Sequence, residues 1–248
     1  MYINDVHIIC YIIFAVIGII VGQFTDWVTK RLSAEKKIFD KGAFKEFKKE
    51  FVPNYVLMLI TAILYIAFVY LYGWNENMAQ NLTLLKFTIV TPILISACII
   101  DYRLQIIPNR LNLSLFEIGI IFTFLYGFTN INIAADMCFG LIAGGGIFLL
   151  ITLIGGLIAG REAMGFGDVK LMCGLGLIFG LGSTIIVTLL SFLIGAVLSI
   201  ILLVTKKKNI NEYIPFGPFI VLASFISMLV PFTTLSTILM KIFTLGLS

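Results

Sequence analysis

The chain has 248 residues, of which 60% are hydrophobic and only 12% are charged. Soluble domains are about 45–50% apolar and about 25% charged, so a soluble fold of this size could not bury the surplus, and lipid must surround much of the chain. The net charge is +4, and the basic residues lie between apolar runs, which favours membrane-topology signals over nucleic-acid binding.

The apolar runs, taken in chain order, predict an all-α polytopic membrane protein with about eight transmembrane helices. The runs cover residues 7–24, 54–72, 82–100, 111–128, 133–159, 169–181, 183–204 and 215–229. The sixth run is short, and residues 233–247 fit either a further span or a tail. The span count is therefore expected to lie between about seven and nine.

The longest polar stretch, residues 28–53, follows the first predicted span. Its Phe39, Phe44, Phe47 and Phe51 alternate with lysines at mostly helical spacing. This pattern fits an amphipathic helix lying on anionic headgroups, and it fits a solvated cytoplasmic helix equally well.

The basic residues predict the orientation of the chain. If the N-terminus is outside and the spans alternate, four inner loops carry 15 of the 17 basic residues and leave only Lys86 and Lys241. The opposite orientation would place nearly all of them outside. The positive-inside rule therefore assigns residues 28–53 to the cytoplasm.

The small number of histidines excludes several kinds of catalytic site. His7 is the single histidine, so a His-Glu-x-x-His zinc site is excluded, and a serine nucleophile would have to use His7 as its base. The four cysteines lie in apolar runs and form no Cys-x-x-Cys pair, so no metal site is expected. Carboxylate chemistry remains.

Two carboxylates lie at the edges of apolar runs. Asp101 ends the third run, and Asp168 precedes the sixth run after Gly165 and Gly167. The predicted topology puts both at the cytoplasmic boundary of the membrane, where two carboxylates that meet could share one proton. For either aspartate alone, an interfacial residue or a helix cap is the simpler interpretation, and Asp168 is expected at the N-cap of its helix.

Three motifs in order resemble those of the type IV prepilin peptidases. Residues 101–111 resemble the first aspartate motif of that family, residues 162–171 its Gly-x-Gly-Asp motif, and residues 214–219 its Pro-Phe-Gly-Pro segment. Residues 18–32 resemble the family's first span more faintly, with Asp26 where asparagine is usual.

The resemblance implies a membrane-embedded aspartic endopeptidase of the bacterial inner membrane. It implies that Asp101 and Asp168 are catalytic, and that a prepilin or pseudopilin leader is cut on the C-terminal side of glycine. The residues expected to bind substrate or support the loop are Gly165, Gly167, Lys170, Pro108, Asn109 and Glu162.

The resemblance also divides the chain into an N-terminal membrane region, residues 1–80, and a peptidase membrane domain, residues 81–248. The loop at residues 28–53 has none of the zinc cysteines of the larger bifunctional members. N-methylation of the new N-terminus is therefore left open. No cofactor is expected for proteolysis, and S-adenosylmethionine would be needed only for that methylation.

Two other functions compete with this interpretation. The first is another Gly-x-Gly-Asp intramembrane protease, of the presenilin or signal-peptide-peptidase type, although those enzymes carry Tyr-Asp where this chain has Asp101-Tyr102. The second is a proton- or cation-coupled transporter that uses Asp101, Glu117 and Asp168. Transporters often show internal repeats with carboxylates near the midplane, whereas these carboxylates are predicted near one face.

Overall fold

The computed structural model describes residues 2–4, 6–34, 36, 52–74, 77–160, 164–205 and 214–244. Within these residues the chain forms one short hairpin and nine helices. The hairpin pairs β1 (Tyr2–Ile3) with β2 (Val6–His7). The helices are α1 (Ile8–Ser33), α2 (Tyr55–Tyr72), α3 (Met78–Leu104), α4 (Asn109–Thr129), α5 (Ile131–Ala159), α6 (Phe166–Phe179), α7 (Leu181–Val204), α8 (Gly217–Leu229) and α9 (Phe232–Phe243).

Six of these helices are long and apolar enough to cross a membrane, namely α1 to α5 and α7. The other three, α6, α8 and α9, contain 14, 13 and 12 residues. At about 1.5 Å per residue they are shorter than the hydrocarbon core, which is about 30 Å thick. The all-α polytopic membrane fold is therefore confirmed. The predicted amphipathic segment lies mostly outside the described residues.

The first compact unit, Met1–Leu104, contains the hairpin and α1 to α3. In this unit, α1 and α2 pack closely through Gly18 and Gly22, which are spaced four apart as in small-residue contacts between membrane helices. A Cβ atom added to Gly18 would lie 2.6 Å from the Cα atom of Ala62, closer than real contacts allow. The Thr61 hydroxyl donates to the Gly18 carbonyl at 2.6 Å, so the contact is also hydrogen-bonded.

Polar side chains at the end of α1 connect it to the start of α2. The Asn54 side chain accepts from the Leu57 amide and donates to Asp26 Oδ1 at 2.8 Å. Gln23 accepts from the Asn54 amide and donates to the Val52 carbonyl. Because Asn54 donates hydrogen bonds to both Gln23 and Asp26, α2 begins at a defined place beside α1.

The second compact unit, Gln105–Ser248, is built around α6. Leu115 of α4 lies against Gly174, and Leu177 lies against Gly119 of α4. On its other side, α6 meets α5 where Gly140 contacts the backbone of Gly176 and Gly180. Because glycines have no side chain, α5 and α6 approach to backbone contact at this crossing. Most of α6 is therefore buried.

The third predicted motif is part of the packing of this unit. The ring of Phe216 lies 5.0 Å from that of Phe192 on α7 and 6.0 Å from that of Phe148 on α5, measured between centroids. Gly217 and Pro218 follow as the first two residues of α8. The segment therefore fixes the entry of α8 against two longer helices. The domain boundary predicted after residue 80 remains a prediction.

Candidate active site

Asp168 lies in the first turn of α6 and is only 4% exposed. The expectation that it caps the helix is wrong, because α6 begins two residues earlier, at Phe166, and Gly165 is the N-cap residue. Gly165 is extended, and its carbonyl accepts from the Asp168 amide at 3.0 Å. A carboxylate in the first turn still experiences the positive end of the helix dipole, so this position favours negative charge.

Asp101 lies near the end of α3 and is 3% exposed. The apolar run ends at Ile100, but the helix continues to Leu104, which puts Asp101 inside the last turn. Gln105 then adopts a positive φ of 56°, which is uncommon for a residue other than glycine and stops the helix. Asp101 therefore belongs to a regular helical turn near the negative end of the α3 dipole.

The second half of the first motif packs directly against the second motif. A Cβ atom on Gly167 would lie 3.3 Å from the Cβ atom of Ile107, so the two backbones are in close contact. Asn112 Nδ2 donates to the Gly167 carbonyl at 3.2 Å, and Lys170 Nζ donates to Asn109 Oδ1 at 2.8 Å. These three contacts hold the start of α6 against the start of α4.

The ammonium group of Lys170 has a second neighbour. It lies 5.3 Å from the ring centroid of Phe166, within the range of a cation–π contact. Between α4 and α6, a cavity of about 410 Å³ opens beside these groups. Its lining is mostly apolar, and it is formed by Asn109, Asn112, Leu113, Phe116, Lys170 and Cys173. Its polar residues lie nearest the starts of the two helices.

Most of the predicted supporting residues come together here. Gly165, Gly167 and Lys170 belong to the start of α6, while Pro108 is the N-cap residue of α4 and Asn109 its first residue. Pro108 donates no backbone hydrogen bond, which costs nothing at a helix start, and its carbonyl accepts from the Leu111 amide at 3.0 Å. Glu162 lies outside the described residues.

Asn112 is a contact residue that the sequence analysis missed. It is buried in α4 and reaches Gly167, 55 residues away. The available signal was a second amide side chain one helical turn after Asn109, inside a mostly apolar span. That spacing puts Asn109 and Asn112 on one face of α4.

Comparison with known proteins gives the same family as the motifs. Residues 88–200 match the model of the type IV leader peptidase family. The chain is 32% identical over 171 residues to the prepilin leader peptidase/N-methyltransferase of Aeromonas hydrophila, an alignment that covers 69% of this chain and 56% of that protein. The protein of the same name from Pseudomonas aeruginosa is 30% identical over 173 residues, with the same two coverages.

A third relative, the prepilin leader peptidase/N-methyltransferase of Legionella pneumophila, is 34% identical over 136 residues. That alignment covers 55% of this chain and 46% of the relative. The chain thus spans about half the length of the relatives it matches. No solved structure matches the chain.

Proposed function

We propose that this chain is a membrane-embedded aspartic endopeptidase, because residues 88–200 match the model of the type IV leader peptidase family. Its substrate is a prepilin or pseudopilin, and the bond cut lies on the C-terminal side of the glycine that ends the leader. The observation that carries the proposal is the buried Asp168, which emerges from a helix start held by Asn109 and Asn112.

Asp101 and Asp168 are the proposed catalytic pair. Burying a carboxylate is costly unless it is paired, hydrogen-bonded or protonated, and both side chains are more than nine-tenths buried. In the proposed reaction, water adds to the scissile carbonyl carbon and gives its proton to the ionised aspartate. The protonated aspartate gives its proton to the carbonyl oxygen, which forms a tetrahedral diol. The first aspartate then gives the proton it took from water to the amine nitrogen as the C–N bond breaks, and one hydroxyl group of the diol returns its proton to the second aspartate, so that both carboxyl groups regain their starting states.

The helix ends suggest how the two roles are divided. Asp168 lies in the first turn of α6, where the dipole favours an ionised carboxylate, and Asp101 lies in the last turn of α3, where it does not. We therefore assign water activation to Asp168 and protonation of the carbonyl oxygen to Asp101. Gly165, Gly167, Pro108, Asn109 and Lys170 support the helix start that carries Asp168.

The proposed orientation follows from the basic residues. With the N-terminus outside, most lysines and arginines face the cytoplasm, and both aspartates lie near the cytoplasmic face of the bacterial inner membrane. A substrate with a basic leader and an apolar segment would then present its scissile bond at the level of the headgroups. The bilayer and the pilin are the partners that this arrangement requires.

Methylation of the new N-terminus is a second reaction in the names of the relatives. We assign no residue of this chain to it. S-adenosylmethionine enters the proposal only as the methyl donor of that reaction, and the peptidase step uses water and the two carboxyl groups.

The test is cleavage of a synthetic prepilin by the purified protein, followed by mass spectrometry of the new N-terminus. Asp101→Asn and Asp168→Asn should each lower turnover by about 10²–10⁴-fold, the usual contribution of a general acid or base. Glu117→Gln is the matched control, because Glu117 is an exposed carboxylate on α4, and it should retain turnover. A folded Asp168→Asn protein with wild-type turnover would refute the assignment. The same spectrum reports whether the product is methylated.

A further inference from the structure

Asn112 stands out as a buried polar residue in α4, a helix whose other buried residues are apolar. It is the fourth residue of α4 and is 5% exposed. Its Nδ2 group donates to the carbonyl oxygen of Gly167, the residue immediately before Asp168. The contact therefore joins α4 to the main chain that carries a proposed catalytic group.

The orientation of this amide is fixed by its partner. A carbonyl oxygen only accepts hydrogen bonds, so the NH₂ group of Asn112 must face Gly167 and the Oδ1 atom must face away. Among the described residues, Oδ1 is buried and receives no hydrogen bond. An unsatisfied buried acceptor costs stability that an apolar residue of similar shape would not cost. Packing alone therefore does not account for asparagine at this position.

We propose that Asn112 is a positioning residue for Asp168. By holding the Gly167 carbonyl, it fixes the peptide plane from which the Asp168 side chain emerges. The Ile107 side chain, from the first motif, packs against Gly167, but a hydrocarbon side chain cannot donate a hydrogen bond, so it limits the approach of the backbone without fixing the direction of the carbonyl. The inference rests on the proposed function, since positioning matters only if Asp168 takes part in the reaction.

Two substitutions separate positioning from simple support. Asn112→Leu removes the donor and keeps the number and branching of the side-chain heavy atoms. Asn112→Asp keeps the shape but puts a carboxylate oxygen against the Gly167 carbonyl, where the two repel. When the introduced carboxyl group is protonated, it can donate to Gly167 again. The turnover ratio of Asn112→Asp to wild type should therefore rise as pH falls.

The charges around the introduced carboxyl group are known. On α6, Asp168 directly follows Gly167, the residue that Asn112 contacts, and Lys170 and Cys173 line the same cavity as Asn112. On α4 itself the nearest charged residues are Arg110 and Glu117. On α5, Asp136 lies against Gly180, beyond the opposite end of α6. Dividing by the wild-type rate at each pH removes the titration that the two proteins share. Any extra protonation of Asp168 that the introduced carboxylate causes would lower the ratio at acidic pH, opposite to the expected rise.

The experiment measures kcat and KM for a synthetic prepilin from pH 5 to pH 8. Asn112→Leu should lower kcat by about ten- to a hundredfold with KM nearly unchanged, since a small misplacement of a catalytic group costs about that much. The kcat ratio of Asn112→Asp to wild type should rise by roughly tenfold toward the acidic end. Thr123→Val is the control, because it removes a hydrogen bond within the same helix far from Asp168. Its kcat should stay near wild type.

Hydrogen exchange supplies a readout that does not depend on cleavage. The amides of residues 165–169 should exchange faster in Asn112→Leu than in Thr123→Val. The role of Asn112 would be overturned if folded Asn112→Leu had wild-type kcat, or if only its KM changed. It would also be overturned if the kcat ratio of Asn112→Asp to wild type did not change with pH. If Asn112→Leu does not fold, the pH dependence of the kcat ratio of Asn112→Asp to wild type tests the role of Asn112. If the two variants differ in hydrogen exchange as expected but the wild-type protein does not cleave a prepilin, the proposed function is overturned instead.

Discussion

Gly140→Ala should push α5 away from α6, whereas Gly146→Ala, on the same helix, should not. A methyl group at Gly140 would lie 2.6 Å from the carbonyl carbon of Gly180 and 2.9 Å from its Cα atom. Comfortable carbon–carbon contacts are about 3.5–4.0 Å, so the helices would have to separate by about 1 Å. A methyl group at Gly146 would meet nothing within 4 Å.

The two substitutions should therefore have different effects on stability. Overpacking typically costs about 1–3 kcal/mol, and replacing a helical glycine by alanine returns about 0.5–1 kcal/mol. Gly140→Ala is expected to lose about 1–2 kcal/mol of stability, and Gly146→Ala to be neutral or stabilising by up to about 1 kcal/mol. Since α6 carries Asp168, Gly140→Ala should also slow cleavage.

Cys173 provides a local assay of this opening. Its thiol is half-buried and lies beside Gly145 of α5, so a thiol reagent reaches it more easily when the two helices separate. In a chain whose other three cysteines are alanine, Gly140→Ala should label faster than wild type, and Gly146→Ala should not. Equal labelling rates and equal unfolding temperatures for the two variants would refute the reasoning from close helix contact.

Two further predictions concern topology and the first compact unit. A cysteine introduced at Lys41 or Lys207 should react with a membrane-impermeant reagent only from the cytoplasmic side; reaction from outside intact cells would invert the proposed orientation. Asn54→Ala should lower the free energy of unfolding by about 1–3 kcal/mol, because it removes a helix cap and a hydrogen bond to Asp26. Asn130→Ala removes only a cap; an equal loss in both variants would show that the bond to Asp26 contributes nothing.

The helices were predictable from the sequence because apolar length is a local property. Each apolar run corresponds to a helix, and the doubtful tail begins with α9. The ends were less predictable, since loss of hydropathy marks the edge of the apolar run and not the end of the helix. Thus α3 continues past Ile100 to Leu104, and it stops where Gln105 adopts a positive φ.

The candidate site was predictable in its residues but not in its contacts. Asp168 and its two glycines were identified from the second motif. Asp168 was expected at the N-cap, whereas it lies in the first turn of α6. The bond from Asn112 to Gly167 joins residues 55 positions apart, so it depends on how α4 packs against α6. The glycines that allow close packing, such as Gly119 and Gly174, have no periodic signal that would have revealed their neighbours.

The short length of α6 means that neighbouring helices, and not lipid, determine the depth of its two ends. Its 14 residues span about 21 Å, against a hydrocarbon core of about 30 Å. Most of α6 is buried against α4 and α5, which are long enough to cross the membrane, so the short helix imposes no hydrophobic mismatch of its own on the lipid. At least one end of α6 therefore lies at the depth of the hydrocarbon core, inside the protein. Water that reaches a carboxylate at that depth would have to pass between helices, as through the cavity between α4 and α6.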